Sequence, residues 1–264
     1  MNVAALRTIA EALRDAERRA VPIEPLAAQY AMTVDQGYRI QELAIEQRVA
    51  RGEQVTGMKI GLTSAVMQRQ LGVHEPDYGH LLNAMEYPDG AEIAIDRLIA
   101  PRVEGEIAFH LACDLTGPGV TAADVMGATD TVFPALEVID SRIRDWRITQ
   151  ADTIADNASA AAFVLGRPGR SPVGLDLTTV GLVLKQNDVV VETGVGAAVL
   201  GNPAFAVAWL ANRLAAYGQS LRSGQVVLSG SLVAAVPVHA GDVVEAALGG
   251  LGRVRCAFMA GTRP

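Results

Sequence analysis

Lysine is nearly absent from this 264-residue chain: of its 22 basic residues only Lys59 and Lys185 are lysines, and the rest are arginines. Codon bias accounts for the scarcity, since alanine is also abundant, but not for where the two lysines stand. Cysteine is as rare. Cys113 and Cys256 lie far apart in apolar, strand-like contexts, which excludes a disulfide framework and predicts buried, reduced thiols. The 29 acidic residues outnumber the basic ones, the formal charge is −7, and there is no basic run, so nucleic acid is excluded as a partner. No apolar stretch is long enough to span a bilayer, which excludes a membrane chain of the helical kind. Acidic residues and helical periodicity from the start of the chain read against a signal peptide, and the chain is expected in the cytoplasm. No G-x-S-x-G, P-loop or strand-following G-x-G-x-x-G is present, which leaves a serine hydrolase or a nucleotide enzyme without support. The histidines, His74, His80, His110 and His239, form no metal-binding spacing.

What is present is globular. Half the residues are hydrophobic and the length fits one large domain, or one with a smaller appendage. Residues 3–20 carry Leu6, Ile9, Leu13 and Ala16 at helical spacing, and Pro22 and Pro25 end the run. Thr33-Val34-Asp35-Gln36 reads as a capping box opening a second helix that runs to about Arg51. Thereafter short Val/Ile/Ala runs alternate with Gly, Pro, Asn and Asp. Strands are expected at 54–60, 91–95, 102–112, 131–140, 160–165, 179–186, 189–193, 225–229, 242–248 and 252–260. Helices are expected at 64–71, 121–128 and 204–217, the last opened by Asn202-Pro203. Asn187-Asp188 reads as a hairpin turn.

The chemistry concentrates in a few segments. In Pro101-Arg102-Val103-Glu104-Gly105-Glu106-Ile107-Ala108-Phe109, alternation sends Val103, Ile107 and Phe109 to one face and Glu104 and Glu106 to the other. Two carboxylates side by side repel unless solvent or a cation intervenes, and E-x-E on a solvated face is common. Glu137 stands alone in the apolar stretch Phe133–Ile139, where a carboxylate needs a partner. Three such glutamates make a plausible oxygen-donor site for a hard divalent ion, Mg²⁺ or Mn²⁺, and not for zinc. Lys59 sits in a glycine-bracketed apolar strand, Gly57-Met58-Lys59-Ile60-Gly61, and either faces a polar site or merely snorkels. The stretch 75–82 reads as a loop placing Asp77 beside Tyr78, 152–159 as a polar cluster before a strand, and Leu228-Ser229-Gly230-Ser231-Leu232 as a turn with donors for a carboxylate.

In order along the chain, MKIGLTS (58–64), QLGVHEPDYGHL (70–81), PRVEGEIAFHL (101–111), PALEVIDSRIRDW (134–146), DTIADNAS (152–159), GNPAFAVAWLANRLA (201–215) and LSGS (228–231) resemble the 2-keto-4-pentenoate hydratase/4-oxalocrotonate decarboxylase family of the fumarylacetoacetate hydrolase superfamily. The resemblance implies an α+β chain: a helical segment with the first strand over residues 1–70, then a mixed β-sandwich roll over 71–264 as the catalytic domain. It implies that Glu104, Glu106 and Glu137 hold Mg²⁺ or Mn²⁺. Lys59 and Asp77 become proton-transfer groups, and Leu82, Ser159, Ser229, Gly230 and Ser231 become the substrate wall. The implied activity is a hydro-lyase that hydrates 2-hydroxypenta-2,4-dienoate to 4-hydroxy-2-oxopentanoate in meta-cleavage degradation of aromatic compounds. The alternatives are a 4-oxalocrotonate decarboxylase and a hydratase of a longer 2-oxo-enedioate. The Asp77 loop and Trp146-Arg147-Ile148 favour the hydratase. The resemblance also implies a homo-oligomer and association with a cognate hydratase, decarboxylase or aldolase of the pathway. A lysine partly desolvated beside a divalent ion is expected to have a lowered pKa.

Overall fold

The computed structural model describes residues 1–64, 68–69 and 72–261; most of the helix expected at 64–71 lies outside the described residues. The chain begins with two helices. Helix α1 (Val3–Arg19) buries the stripe Leu6, Ile9, Ala10, Leu13 and Ala16. Asn2 caps its start by accepting from the Ala5 amide at 2.9 Å. Helix α2 (Val34–Val49) opens with the expected reciprocal box between Thr33 and Gln36. The two helices share a small core in which Leu6, Ile9 and Leu13 meet Ile40, Leu43 and Ile143.

The strands form two sheets. The larger, of eight strands, runs β2 (Asp77–Leu82), β1 (Val55–Gly61), β10 (Val226–Ser231), β5 (Arg102–Leu111), β6 (Thr129–Ile139), β7 (Ala160–Leu165) and β3 (Glu86–Tyr87), with β11 (Val236–Pro237) also paired to β5. The smaller, of five strands, runs β4 (Glu92–Ala94), β13 (Gly252–Met259), β12 (Val243–Leu248), β8 (Gly181–Gln186) and β9 (Val189–Val195). Pairing is mixed: β1–β10, β3–β7 and β4–β13 are parallel and the other ladders antiparallel. Helices α3 (Ala122–Ala128), α4 (Gln150–Ala155) and α5 (Pro203–Ala215) fill the connections.

Strand β5 shows why the sheets face each other as they do. Its odd positions, Val103, Ile107, Phe109 and Leu111, are fully buried in the main core with Leu182, Leu184 and Phe258 from the small sheet. Each such side chain contributes on the order of 1.5–3 kcal/mol. At Gly105 the sheets approach so closely that an added Cβ would stand 2.6 Å from Leu182 Cδ1. The core therefore fixes the register, and the even positions Arg102, Glu104 and Glu106 turn to the other face.

Most expected elements are found within a residue or two, including the Asn187–Asp188 hairpin, whose two residues have φ of 54° and 64°. Four readings change. The 75–82 stretch is not a loop: Asp77–Leu82 is strand β2, an edge strand whose Asp77 and Tyr78 are buried beneath α4 and its neighbours and whose His80 is half-buried. The 228–231 stretch is not a turn but the end of β10, where a bulge at Gly230 (φ 104°) breaks the pairing with β5 between Leu228 and Ser231. The polar cluster at 152–159 contains helix α4, started by a capping box between Thr149 and Asp152. Both cysteines are free, but Cys113 is exposed.

A buried polar joint ties α2 to the site. Gln41 Nε2 donates to the carbonyls of Tyr78 and Ile154 at 2.9 and 2.8 Å, so its Oε1 is left to accept from His80 Nδ1 at 3.0 Å. That fixes His80 as the neutral Nδ1–H tautomer, and burial pushes its pKa down to about 4. An unfolded histidine takes up a proton near pH 6.5, whereas the folded one resists until about pH 4. Stability contributed by this group is therefore present above about pH 6.5 and lost as pH falls towards 4. A His80→Gln protein should lose less stability than the wild type between pH 6.5 and 4 in urea unfolding; equal slopes for the two would contradict the assignment.

Candidate metal centre and active site

Glu104 on β5 stands directly across the ladder from Glu137 on β6, and Glu106 follows two residues along the same face. Carboxylate oxygens of all three lie within 4.8 Å of one another. Glu137 and Glu106 are buried and Glu104 is half-buried. Unit charges that close repel by roughly 4 kcal/mol per pair at an effective dielectric constant near 20. Little in the protein compensates. Gly230 donates its amide to Glu106 Oε2 at 2.8 Å, and Lys59 Nζ lies 3.2 Å from Glu137 Oε1. Among the described residues, Glu106 Oε1 and Glu137 Oε2 are buried without a hydrogen-bond donor, and Glu137 Oε1 meets only the Lys59 ammonium. The electrostatics follow. Burial, then repulsion from Glu137, pushes Glu104 up to about 7 against the pull of Lys59. Glu106 is driven well above the carboxylate range by burial and by its two neighbours, and burial raises Glu137 as well. Three converging carboxylates, two of them with buried oxygens that lack a donor among the described residues, fit a divalent cation with oxygen ligands.

Lys59 enters from β1, held between β2 and β10. Its ammonium donates to the Ala158 carbonyl at 3.0 Å. Burial lowers its pKa, but among the protein's own groups Glu137, Glu104, Asp77 and Glu106 outweigh burial and the net shift is upward; the lowering expected from the sequence is for a lysine beside a divalent ion. In the protein's own charge balance, Lys59 is a firmly held cation.

The carbonyl it meets belongs to a strained turn. Asn157, Ala158 and Ser159 are consecutive non-glycine residues in the left-handed region, with φ of 53°, 48° and 55°, each at a cost of about 1–3 kcal/mol. Two devices hold them. The Asn157 side chain brackets His80, accepting from its amide at 2.8 Å and donating to its carbonyl at 2.9 Å. Below, the buried pair of Arg142 and Asp156 grips the turn: the guanidinium donates to the Asp156 carboxylate and to the carbonyls of Asp140, Asp156 and Ala160. Glycines make the approach possible. A Cβ on Gly79 would stand 2.4 Å from the Asn157 carbonyl oxygen, and one on Gly61 would stand 2.2 Å from Asp77 Oδ1.

Asp77, at the start of β2, is buried, and its Oδ1 has no hydrogen-bond donor among the described residues. Burial raises it to about 6, with Lys59 pulling the other way. These groups open onto a cavity of about 410 Å³. Lys59, Asp77, Glu104, Ser159 and Ser231 line it, while Glu106 and Glu137 stand behind Glu104. Three expected wall residues do not line it. Leu82 is fully buried in a separate apolar cluster with Leu81 and Phe163, because the end of β2 passes beneath the sheet's other packing layer. Ser229 is buried behind the wall, and Gly230 acts through its amide on Glu106. Sequence reasoning passed over Thr63, Arg102, Ile139, Val233 and the Ala158 carbonyl as parts of the wall. For Arg102 the signal was available, since it shares the alternation face of Glu104 and Glu106.

The sequence pattern of the fumarylacetoacetate (FAA) hydrolase C-terminal family matches residues 72–259. The chain is 45% identical over 256 residues to a 2-hydroxyhexa-2,4-dienoate hydratase of Comamonas testosteroni, covering 96% of this chain and 97% of that one. It is 46% identical to a 2-keto-4-pentenoate hydratase of Paraburkholderia xenovorans (strain LB400), covering 94% and 93%. Its fold superposes on 4-oxalocrotonate decarboxylase from Pseudomonas putida G7, solved with magnesium and adipate, with a TM-score of 0.96, 37% identity, and 98% and 99% of the two chains covered. No helix among the described residues is long and apolar enough to cross a membrane.

A divalent ion bound by the native state alone stabilises it by about 2.7 kcal/mol at 100 times its Kd, a melting-point rise of roughly 5–10 °C for a domain of this size. Mg²⁺ or Mn²⁺ should raise Tm by that order in the wild type, and Glu137→Gln should abolish the rise. Equal rises in both proteins would place any bound ion elsewhere.

Proposed function

Because the chain belongs to the FAA hydrolase C-terminal family, we propose that it is a metal-dependent hydratase that adds water to 2-hydroxypenta-2,4-dienoate to give 4-hydroxy-2-oxopentanoate. The observation that carries this reading is the cluster of Glu104, Glu106 and Glu137, which reaches through Glu104 the cavity that Lys59 and Asp77 also line. Relatives of matching length and 45–46% identity that bear hydratase names support it.

Glu104, Glu106 and Glu137 are the residues that would hold Mg²⁺ or Mn²⁺. Such an ion supplies Lewis-acid stabilisation of negative charge on the C2 oxygen of a 2-oxo acid. The protein's own groups carry the protons. The reaction needs the enol proton removed from O2 and a proton delivered to C5, which leaves a 2-oxo-3-enoate. Water oxygen then bonds to C4 while a proton ends on C3. Lys59 Nζ, oriented by the Ala158 carbonyl and Glu137, is the group that holds and donates a proton at the cavity floor. Asp77 Oδ1, buried, without a donor among the described residues and on a carboxyl raised to about 6, is suited to accept a hydrogen bond from water and then its proton. The apolar wall of Ile139, Ile148 and Val233 keeps other water away from the conjugated chain. The edge strand β9, with Val189, Val190 and Val191 exposed, supports the reading of the chain as a homo-oligomer.

The closeness of the fold to a decarboxylase favours a second reading, loss of CO₂ from 2-oxohex-4-enedioate. One assay separates the two. With Mg²⁺, the enzyme should consume 2-hydroxypenta-2,4-dienoate with a mass gain of one water, and should release no CO₂ from the enedioate. CO₂ release without hydration would establish the second reading. Lys59→Met should lower kcat by about 100-fold or more while the divalent-ion rise in Tm persists. Near-normal turnover would remove Lys59 from the mechanism.

A further inference from the structure

Strand β2 carries Asp77 at its start and lies at the end of its sheet, with β1 on one side only. The backbone groups on the other side of such a strand need partners when the edge is buried. Two side-chain amides take the place of the missing strand. Asn157 brackets both backbone groups of His80, and Gln41 donates to the carbonyl of Tyr78, two residues earlier on the same edge.

Gln41 joins three segments of the chain. It sits on α2, fully buried. Its Nε2 donates to Tyr78 on β2 and also to Ile154 near the end of α4, and its Oε1 accepts from His80. Asn157, three residues beyond Ile154, ties the same strand to the same segment from the other side. Helix α2 is seated for this contact. Tyr38 stacks on Tyr78 with ring centroids 4.4 Å apart, and Ile45 packs with Leu81 and Leu82. Spaced three and four residues apart, Tyr38, Gln41 and Ile45 share one helix face. At Gly37 the helix comes so near α4 that an added Cβ would stand 2.8 Å from the Ala151 carbonyl oxygen.

A leucine would fill such a face without the cost of burying an amide. What the amide adds is a fixed distance and direction between backbones. Both backbones it holds lead to chemistry. Tyr78 follows Asp77 directly, and the segment after Ile154 presents the Ala158 carbonyl to the Lys59 ammonium. We propose that Gln41 is a positioning residue for proton transfer: by fixing β2 against the end of α4, it holds Asp77 and the Ala158 carbonyl in place around Lys59. The helical N-terminal segment, which lies outside the 72–259 stretch of the family pattern, thereby completes the active site. This rests on the reading of Lys59 and Asp77 as the proton-handling groups, and it holds for hydration and for CO₂ release alike. Gln41 stands outside the cavity wall and acts through these two backbones.

The scarcity of lysine makes the test direct. Protein labelled with carbon-13 at lysine Cε gives one signal for Lys59 and one for Lys185, and Lys185, on β8 of the other sheet, is the internal control. Gln41→Met keeps the bulk and removes the amide; Gln41→Asn keeps the amide and shortens its reach. In Gln41→Met, kcat should fall by about 10- to 100-fold, with a smaller fall in Gln41→Asn. KM and the divalent-ion rise in Tm should hold in both variants, and the Lys59 signal should move while that of Lys185 stays. A merely structural role lowers Tm and leaves the Lys59 signal of the folded protein where it was. An unchanged kcat, or a lower kcat with an unmoved Lys59 signal, overturns the proposal. Should Gln41→Met not fold, Gln41→Asn carries both readouts. If the wild type turns over neither 2-hydroxypenta-2,4-dienoate nor 2-oxohex-4-enedioate, the hydratase reading fails instead, and the Lys59 signal alone decides: moved, it upholds the positioning; unmoved, it sinks it.

Discussion

Everything at this site depends on one imbalance of charge. Three glutamates and an aspartate converge where water is largely excluded, and the protein supplies a single ammonium to meet them. The imbalance explains features that are otherwise unrelated. Burial and mutual repulsion raise the carboxyl groups, their combined field raises Lys59, and Glu106 Oε1 and Glu137 Oε2 remain buried without a donor among the described residues. A divalent cation resolves all three at once. An ordinary structural ion pair does not look like this, since buried pairs survive by satisfying both partners.

Such a cluster is tolerable only on a rigid frame. The frame is the two-sheet core, whose packing against Val103, Ile107 and Phe109 dictates which face of β5 carries the acids. Around it, strain appears where positioning is needed: at Asn157–Ser159, which present a carbonyl to Lys59, and at Asp145–Trp146, which present a ring to Arg102. In both turns buried or paired groups oppose the strain, the Arg142–Asp156 pair in one and the bridges of Glu24 to Arg144 and Arg147 in the other. Outliers of this kind concentrate where geometry serves chemistry.

Alternation made the acidic face of β5 legible in the sequence, and an isolated glutamate in an apolar strand made Glu137 legible, because both follow from local rules. Capping chemistry likewise exposed α2 and α5. What stayed hidden depends on the third dimension. Asp77–Leu82 was mistaken for a loop because its punctuation, a proline before it and a glycine within it, is read locally, whereas Gly79 is there for the close approach of Asn157. Leu82 is a wall residue only by the family resemblance, and the sequence does not show which packing layer its side chain enters. The pull of the carboxylates on Lys59 is hidden for a related reason: burial is foreseeable from an apolar strand, but the summed field of four carboxylates from three strands is not.

Anomalous diffraction from crystals grown with Mn²⁺ tests the central claim most directly. The account predicts one peak per chain, within bonding distance of carboxylate oxygens from Glu104, Glu106 and Glu137, with Lys59 still on the Ala158 carbonyl. No peak among those residues at saturating Mn²⁺, with the three side chains ordered, would contradict it.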